Sequence, residues 1–98
     1  MENVLKLKDS GSALGLRELA KLLGENVKKS INENKTIILD FDKVDSISSS
    51  FADELVAKIM LEVGKEKFIN FVKIRNTNNF IKTMINASIA ARMQLKDS

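Results

Sequence analysis

The chain has 98 residues, of which 44% are hydrophobic and 30% are charged. This length and balance predict one soluble globular domain, residues 1–98, and exclude a disordered chain. The sequence contains no Cys and no His, which excludes disulfides, Cys-ligated metals and catalysis by a Ser-His or Cys-His pair within this chain. We therefore expect a protein that is not an enzyme and that uses no metal or cofactor.

The beginning of the chain carries no recognisable targeting signal. Its first ten residues, MENVLKLKDS, lack a basic stretch followed by an apolar one. No apolar run in the sequence is long enough to span a bilayer. We expect a cytoplasmic protein that has no membrane partner.

The net charge of +3 is unevenly distributed. Residues 1–63 carry nine Lys/Arg and eleven Asp/Glu, whereas residues 64–98 carry seven and two. A basic C-terminal third is typical of contact with nucleic acid or an acidic partner, or of solvated lysines around a hydrophobic element. Because the chain has no Tyr or Trp to interleave with these charges, we favour solvated lysines over a nucleic-acid partner.

The first half of the chain predicts a strand, a helix and a second strand. A short edge strand covers Val4–Leu7, and turn-forming residues follow it. Apolar residues at spacings of three and four then predict an amphipathic helix that ends at Asn32–Asn34; they are Leu16, Leu19, Ala20, Leu23, Val27 and Ile31. The apolar run Thr36–Phe41 is typical of a strand that is covered on both faces.

The second half repeats this alternation. Helix two is predicted over Phe51–Val63 and ends at Gly64, and a strand over Phe68–Ile74 follows it. Helix three is predicted over Asn78–Met93, with apolar residues at core spacing: Phe80, Ile81, Met84, Ile85, Ile89 and Met93. Helices between apolar strands favour parallel pairing through right-handed crossovers. The sequence therefore predicts an α/β fold: a small, open, mostly parallel sheet in the order β-α-β-α-β-α.

Polar segments follow each predicted strand. They read DSGS, DFDKVDSISSS and RNTNN. In an open parallel sheet, ligands bind beyond the carboxyl ends of the strands, so these segments predict a shared working surface.

The serine run in the middle segment offers both a helix cap and a functional hydroxyl. Ser50 precedes Phe51, and Asp53 follows three places later, which resembles a capping box and predicts Ser50 as the N-cap. Ser48 and Ser49 would then be available at a helix N-terminus, where a phosphate is favoured. Asp53 and Glu54 in the same turn oppose such a phosphate, so the two interpretations stay open.

Asp40 and Asp42 lie two residues apart at the end of a predicted strand. Together with Asp45, Asp53 and Glu54 they could hold Mg²⁺, but the sequence shows no fixed ligand spacing. We therefore favour a structural role, in which Asp40 caps backbone groups or pairs with Arg17 or Arg75.

One longer motif resembles a known family. Leu39 to Leu55 reads L-D-F-x-x-V-x-x-I-x-x-x-F-A-D-E-L, which is similar to the signature of the STAS-like domain family of unknown function. Arg17-x-x-Ala20 also resembles that family's pattern. The family is related to the STAS domains of anti-sigma factor antagonists, and the resemblance extends from Gly11 to about Met93.

In those antagonists, the equivalent strand-turn-helix carries an Asp-Ser-Ser/Thr-Gly element. A partner kinase of the histidine-kinase-like ATPase fold phosphorylates its serine, and the unphosphorylated form binds that kinase and releases a sigma factor. An alignment without gaps from Leu39 places Ser49 at the phosphoacceptor position. Ser48 stands where those proteins have Asp, and Phe51 stands where they have Gly.

The resemblance implies a regulatory module of bacterial-type signalling that switches partners. Ser49 and Ser48 are its phosphoacceptor candidates, and the predicted contacts with the ATPase are Ser50, Phe51, Asp53 and Glu54. An alternative from the residues alone is a sensor that binds a small molecule or nucleotide at the strand ends through Arg17, Asp40, the serine turn and Arg75. The sequence does not indicate an oligomeric state.

Overall fold

Residues 3–97, which the computed structural model describes, alternate between short strands and longer helices. In chain order these are β1 (Asn3–Lys6), a 3-10 turn (Leu7–Ser10), β2 (Ala13–Leu14), α1 (Arg17–Asn32), β3 (Ile37–Asp40), β4 (Ser46–Ile47), α2 (Ser49–Ala52), a π-helical turn (Asp53–Ala57), α3 (Lys58–Val63), α4 (Lys65–Phe71), β5 (Val72–Arg75) and α5 (Asn79–Asp97). Because α2, the π-turn and α3 follow one another without a break, we call residues 49–63 the composite helix.

The main sheet has three strands in the order β1-β3-β5, and both of its pairings are parallel. A separate two-stranded parallel ladder joins β2 to β4. Each connection in the main sheet contains at least one helix, as parallel pairing requires. The predicted α/β fold with a small, open, parallel sheet is therefore confirmed.

Alternate residues of β3 face opposite sides of the sheet. Ile37 and Leu39 belong to the main hydrophobic core, whereas Ile38 is buried outside that cluster. In register, Ile38 pairs with Val4 and Lys73, which are both exposed. Because Ile37, Ile38 and Leu39 are all buried, the expectation that this strand is covered on both faces is confirmed, although the main core lies on one face only.

Helix α1 matches its predicted length, and its C-terminus explains why. Asn34 adopts a left-handed backbone (φ 56°). The Asn34 amide donates to the carbonyl of Ile31 (3.1 Å), and the Lys35 amide donates to that of Ser30 (2.8 Å). These are the two hydrogen bonds of a Schellman motif, which satisfies carbonyls at the helix end. At the other end Leu16 is 71% exposed, so it lies outside the buried stripe on which the sequence places it.

The predicted strand Phe68–Ile74 is only partly correct. Residues up to Phe71 belong to α4, and the strand begins at Val72. Within α4, Phe68 is buried while Ile69 and Asn70 are exposed. A short apolar run does not distinguish a strand from a helix by periodicity, and here the helical state buries only the residues that reach the core.

Helix α5 is longer than predicted, since it extends to Asp97. Its buried residues include Ile81 and Ile85, which lie on the predicted core stripe. None of the helices within residues 3–97 is long and apolar enough to cross a membrane.

Gly24 lies in the middle of α1, where glycine costs about 1 kcal/mol relative to alanine. A β-carbon at this position would lie 3.2 Å from Cδ1 of Ile59 and 3.9 Å from the backbone oxygen of Glu54. Ile59 is 1% exposed, so it has little room to move. Gly24 therefore lets α1 approach the composite helix closely.

This close approach predicts a specific coupling between two positions. Gly24→Ala should not stabilise the chain by the usual amount of about 1 kcal/mol, because the new methyl group crowds Ile59. Ile59→Val removes the crowded Cδ1 atom, so Gly24→Ala should stabilise that background. Urea unfolding of the two single variants and the double variant measures this coupling. Full stabilisation by Gly24→Ala alone would show that the contact is not restrictive.

Candidate functional site

The polar segments after the strands meet at one edge of the sheet. The amide of Asn76, after β5, donates to the carboxylate of Asp40 at the end of β3 (2.8 Å). The side chain of Asn78 donates to the carbonyl of Asp45 (2.9 Å), and the Asp45 amide donates to the carbonyl of Ser12 (2.7 Å). The predicted convergence of the three segments is thus confirmed by direct hydrogen bonds.

Ser48 is the N-cap of the composite helix. Its hydroxyl accepts a hydrogen bond from the amide of Phe51 (3.0 Å) and donates one to the carbonyl of Gly15 (2.9 Å). The prediction that Ser50 is the cap is therefore wrong, because the helix begins two residues earlier. The second hydrogen bond of Ser48 joins the helix start to the segment before α1, a tertiary contact that favours this earlier start.

Ser49 is the first residue of the composite helix, and its side chain is exposed. Within the described part of the chain, no hydrogen-bond partner contacts the hydroxyl of Ser49. The next residue, Ser50, is half-buried. The Ser49 carbonyl accepts a hydrogen bond from the hydroxyl of Ser88 on α5 (3.5 Å). Of the two phosphoacceptor candidates, Ser49 presents an accessible hydroxyl, whereas that of Ser48 has two structural partners.

Three of the residues that were predicted to contact a partner are largely buried: Phe51, Asp53 and Glu54. Phe51 is completely buried in the core. The side chains of Asp53 and Glu54 are only 17% and 8% exposed, because both point toward basic residues of the same chain. The expectation of an exposed, acidic helix start is therefore wrong, and a partner contact by these three side chains stays an untested prediction.

Asp53 joins α1 and α5 to the composite helix. Arg92 of α5 binds it through two parallel hydrogen bonds, from Nε to Oδ1 (2.6 Å) and from a terminal nitrogen to Oδ2 (2.7 Å). Arg17 of α1 donates to the same Oδ2 (3.0 Å). A bidentate guanidinium–carboxylate pair is among the strongest charge-assisted contacts, so Asp53 fixes both helices.

Glu54 binds the remaining cation of the cluster. Arg17 donates to its Oε1 (3.0 Å), and Lys58, one turn later, donates to its Oε2 (3.1 Å). We call Arg17, Asp53, Glu54, Lys58 and Arg92 the ion-pair cluster. Each buried carboxylate oxygen in it has a partner, which is the condition under which a buried charge is tolerated.

The cluster changes the pKa of its members. The hydrogen bonds from Arg92 lower the pKa of Asp53, and those from Arg17 add to this effect against the opposing effect of burial. Burial acts to raise the pKa of Glu54, but the hydrogen bonds from Arg17 and Lys58 outweigh it and lower the pKa. Both carboxylates are therefore held in the charged form.

The π-turn contains both acids of the cluster. The Lys58 amide donates to the carbonyl of Asp53, five residues earlier, which is the hydrogen bond of a π-helix. Short π-helical segments inside α-helices are frequent at functional sites. The turn also lies near Gly24, where a β-carbon would be 3.9 Å from the backbone oxygen of Glu54, an ordinary van der Waals distance.

The proposed ligand set at the strand ends is not brought together. Arg17 binds the ion-pair cluster instead of Asp40. Asp40 accepts from the side chain of Asn76 and from the amide of Asp42 (3.0 Å), and these two contacts lower its pKa. Arg75 is the register partner of Asp40 on β5. The prediction that Asp40 caps a backbone group is therefore confirmed. The alternative prediction, an ion pair with Arg17 or Arg75, is not seen among the described residues.

The acids do not form a metal site in this structure. Within residues 3–97, no group of three or more carboxylates lies close enough together to hold an ion. Asp53 and Glu54 bind cationic side chains, and Asp40 binds amides. Three of the acids weighed as Mg²⁺ ligands thus have other partners.

Sequence reasoning missed Lys58, Ser88 and Arg92 because all three lie away from the motif. The available signal was spacing on α5: Ser88 and Arg92 are four residues apart, so they share one helix face, as do Ser49 and Asp53. The two pairs meet, Ser88 with Ser49 and Arg92 with Asp53. Only the tertiary structure shows which faces are in contact.

An apolar surface borders the serine turn. Phe80 is 53% exposed and lines a shallow cleft of about 280 Å³. The cleft is also lined by residues of β2, β4 and the serine turn: Ala13, Leu14, Gly15, Ser46, Ile47 and Ser48. Leu16, next to Gly15, is a second exposed apolar residue. Sequence reasoning missed this surface, since it placed Leu16 and Phe80 on core stripes.

These features define a small α/β domain in which a helix begins at a serine turn beside the carboxyl ends of parallel strands. A family model described as a STAS-like domain of unknown function matches residues 20–82. Because the match covers more than half of the chain, the protein belongs to this family of STAS-like domains. Comparisons with curated proteins and with solved structures give no significant match.

The lowered pKa values predict that acid destabilises the fold through the ion-pair cluster. The ordinary values of Asp and Glu are about 3.9 and 4.3. The folded values are lower, so this stabilisation is present above those values and is lost as the pH falls through the folded pKa values. The unfolding free energy should therefore decrease steeply below about pH 4.

Asp53→Asn separates this effect from general acid denaturation. At pH 7 the variant should be less stable by about 2 kcal/mol, because two arginines lose a charged partner. Its stability should then decrease less than that of the parent chain when the pH falls to about 3, below the ordinary carboxyl values. Urea unfolding at several pH values tests this, and parallel pH profiles for the two proteins would contradict it.

Proposed function

We propose that this STAS-like domain is a non-enzymatic regulatory module of the cytoplasm that docks a protein partner, an ATPase of the histidine-kinase-like fold. The docking face consists of Leu16, Ser49, Phe80 and the cleft that Phe80 lines. The observation that carries the proposal is the exposed side chain of Ser49, which directly follows Ser48, a residue that lines the apolar cleft. Phosphorylation of Ser49 is the proposed switch.

The different roles of Ser48 and Ser49 support this proposal. Ser48 supplies the cap, so the helix start does not need the hydroxyl of Ser49. A kinase could therefore use the Ser49 hydroxyl without removing a capping contact. The transfer forms a bond between Ser49 Oγ and the γ-phosphorus of ATP, breaks the bond from that phosphorus to the β,γ-bridging oxygen, and releases ADP and the hydroxyl proton.

The charges near the turn also support a phosphate. In the sequence, Asp53 and Glu54 oppose a phosphate in the same turn. In the structure, three cationic side chains bind these two acids, so the cluster carries a net charge of about +1. Repulsion of a phosphate at Ser49 is correspondingly weaker than the sequence suggests.

The apolar residues make the face suitable for a protein. Interface cores are enriched in aromatic residues and depleted in charge, and Phe80 with Leu16 supplies exposed apolar area close to Ser49. The alternative sensor has less support, because Arg17 and Asp40 bind other groups and do not converge on a ligand. The absence of His and Cys from the sequence supports a non-enzymatic role.

The first test is modification by a purified ATPase of the histidine-kinase-like fold from the same organism. Incubation of both proteins with ATP and Mg²⁺ should add one phosphate to the chain, and peptide mapping should locate it at Ser49. Ser49→Ala should remove the modification with little change in stability. Ser48→Ala is the matched control: it should lower the unfolding free energy by about 1 kcal/mol through loss of the cap but keep the modification. An unmodified chain that also fails to bind the ATPase would overturn the proposal.

The second test addresses the apolar part of the docking face. Phe80→Ser should weaken binding of the same ATPase by tenfold or more, on the order of 1–2 kcal/mol for an aromatic interface residue. Ile69→Ser is the control, since Ile69 is similarly exposed (50%) but belongs to α4 and does not line the cleft. Calorimetric titration of the parent and the two variants measures the difference. Equal losses from both substitutions would place the interface elsewhere.

A further inference from the structure

Helix α5 contacts the composite helix at two positions, Ser49 and Asp53. On α5, the hydroxyl of Ser88 contacts the carbonyl of Ser49, and Arg92, four residues later, binds Asp53, four residues after Ser49. Residues four apart on a helix lie on one face. The side of the composite helix that carries Ser49 and Asp53 therefore faces Arg92.

The start of α1 borders the same turn. The carbonyl of Gly15 accepts a hydrogen bond from the hydroxyl of Ser48, and Arg17, two residues later, binds Asp53. Arg17 keeps 47% of its side chain exposed, and Arg92 keeps 28%, so both can change partner without crossing the core. Ser49 thus lies one helical turn before Asp53, the carboxylate that both arginines hold.

A phosphate on Ser49 would compete for these arginines. Its residue would lie four positions, or about 6 Å along the helix axis, from Asp53. It carries close to two negative charges and three acceptor oxygens, whereas Asp53 carries one charge and two oxygens. Lys58 is engaged by Glu54 on the following turn, so Arg17 and Arg92 are the cations placed to respond.

We propose that Arg17 and Arg92 bind a phosphate on Ser49 and are thereby drawn from Asp53, which loosens the attachment of α1 and α5 to the composite helix. This inference rests on the proposed function, which supplies the phosphate. It adds the two arginines that bind the phosphate. The consequence is a rearrangement inside the domain, since the contacts that weaken are those between its own helices. Phosphorylation would then alter the docking face through Phe80, the second residue of α5, and Leu16, which directly precedes α1.

The test uses a chain with phosphoserine incorporated at position 49 during translation, so it needs neither the kinase nor the partner. Phosphorus NMR follows the second ionisation of the phosphate, which has a pKa near 6 when the group is exposed. Binding by the arginines should lower this pKa by about one unit. Arg92→Gln should reverse most of that shift, whereas Lys82→Gln, which removes an exposed cation from the same helix, should leave it in place.

A second variant covers the case in which Arg92→Gln does not fold. Asp53→Asn removes the competing carboxylate, so the pKa of the phosphate should fall further than in the parent phosphoprotein. Hydrogen exchange of the α5 amides should be several-fold faster with phosphoserine than with serine at position 49. An ordinary phosphate pKa that Asp53→Asn leaves unchanged would overturn the inference. A failed kinase assay together with the shifted pKa would instead count against the proposed function alone.

Discussion

The structure depends on the carboxylate of Asp53, which binds an arginine from each of two helices. Without it, Arg17 and Arg92 would be two partly buried cations at the junction of α1, α5 and the composite helix. Burial of charge is unfavourable unless geometry and hydrogen bonding are both good, and the bidentate contact with Arg92 meets that condition. The apolar core supplies most of the favourable free energy of folding, while the ion pairs specify how these helices lie against one another.

Two local features accompany this arrangement. The π-turn contains Asp53 and Glu54, neighbours in sequence that both bind Arg17. Gly24 lets α1 pack closely against Ile59 of the composite helix. Each feature is unfavourable by itself, since glycine weakens a helix and π-helical hydrogen bonding is rare. The glycine is explained by the helix contact that it permits. This is why an isolated glycine in a periodic helix can indicate a close contact.

The sequence predicted the elements whose periodicity is strong, and failed where a tertiary contact decided between local alternatives. The lengths of α1 and the composite helix followed from spacing and end signals such as Asn34 and Gly64. Three consecutive serines, however, allow three helix starts, and the bond from Ser48 to Gly15 is invisible in the sequence. The site shows the same limit: Ser49 follows from the motif, but its surroundings depend on Arg92, 39 residues further along the chain from Asp53.

The placement of the acids changes how a phosphate could act here. A partner that docked on exposed carboxylates would sense a new negative charge directly, by repulsion across the interface. Here cationic side chains of the same chain cover the carboxylates of Asp53 and Glu54, so a partner on the proposed docking face would meet these carboxylates only weakly. A charge at Ser49 would be sensed mainly by the arginines of the domain itself. A shift of α1 or α5 would then move Leu16 or Phe80. The proposed interface would respond to that movement, without needing charged groups of its own.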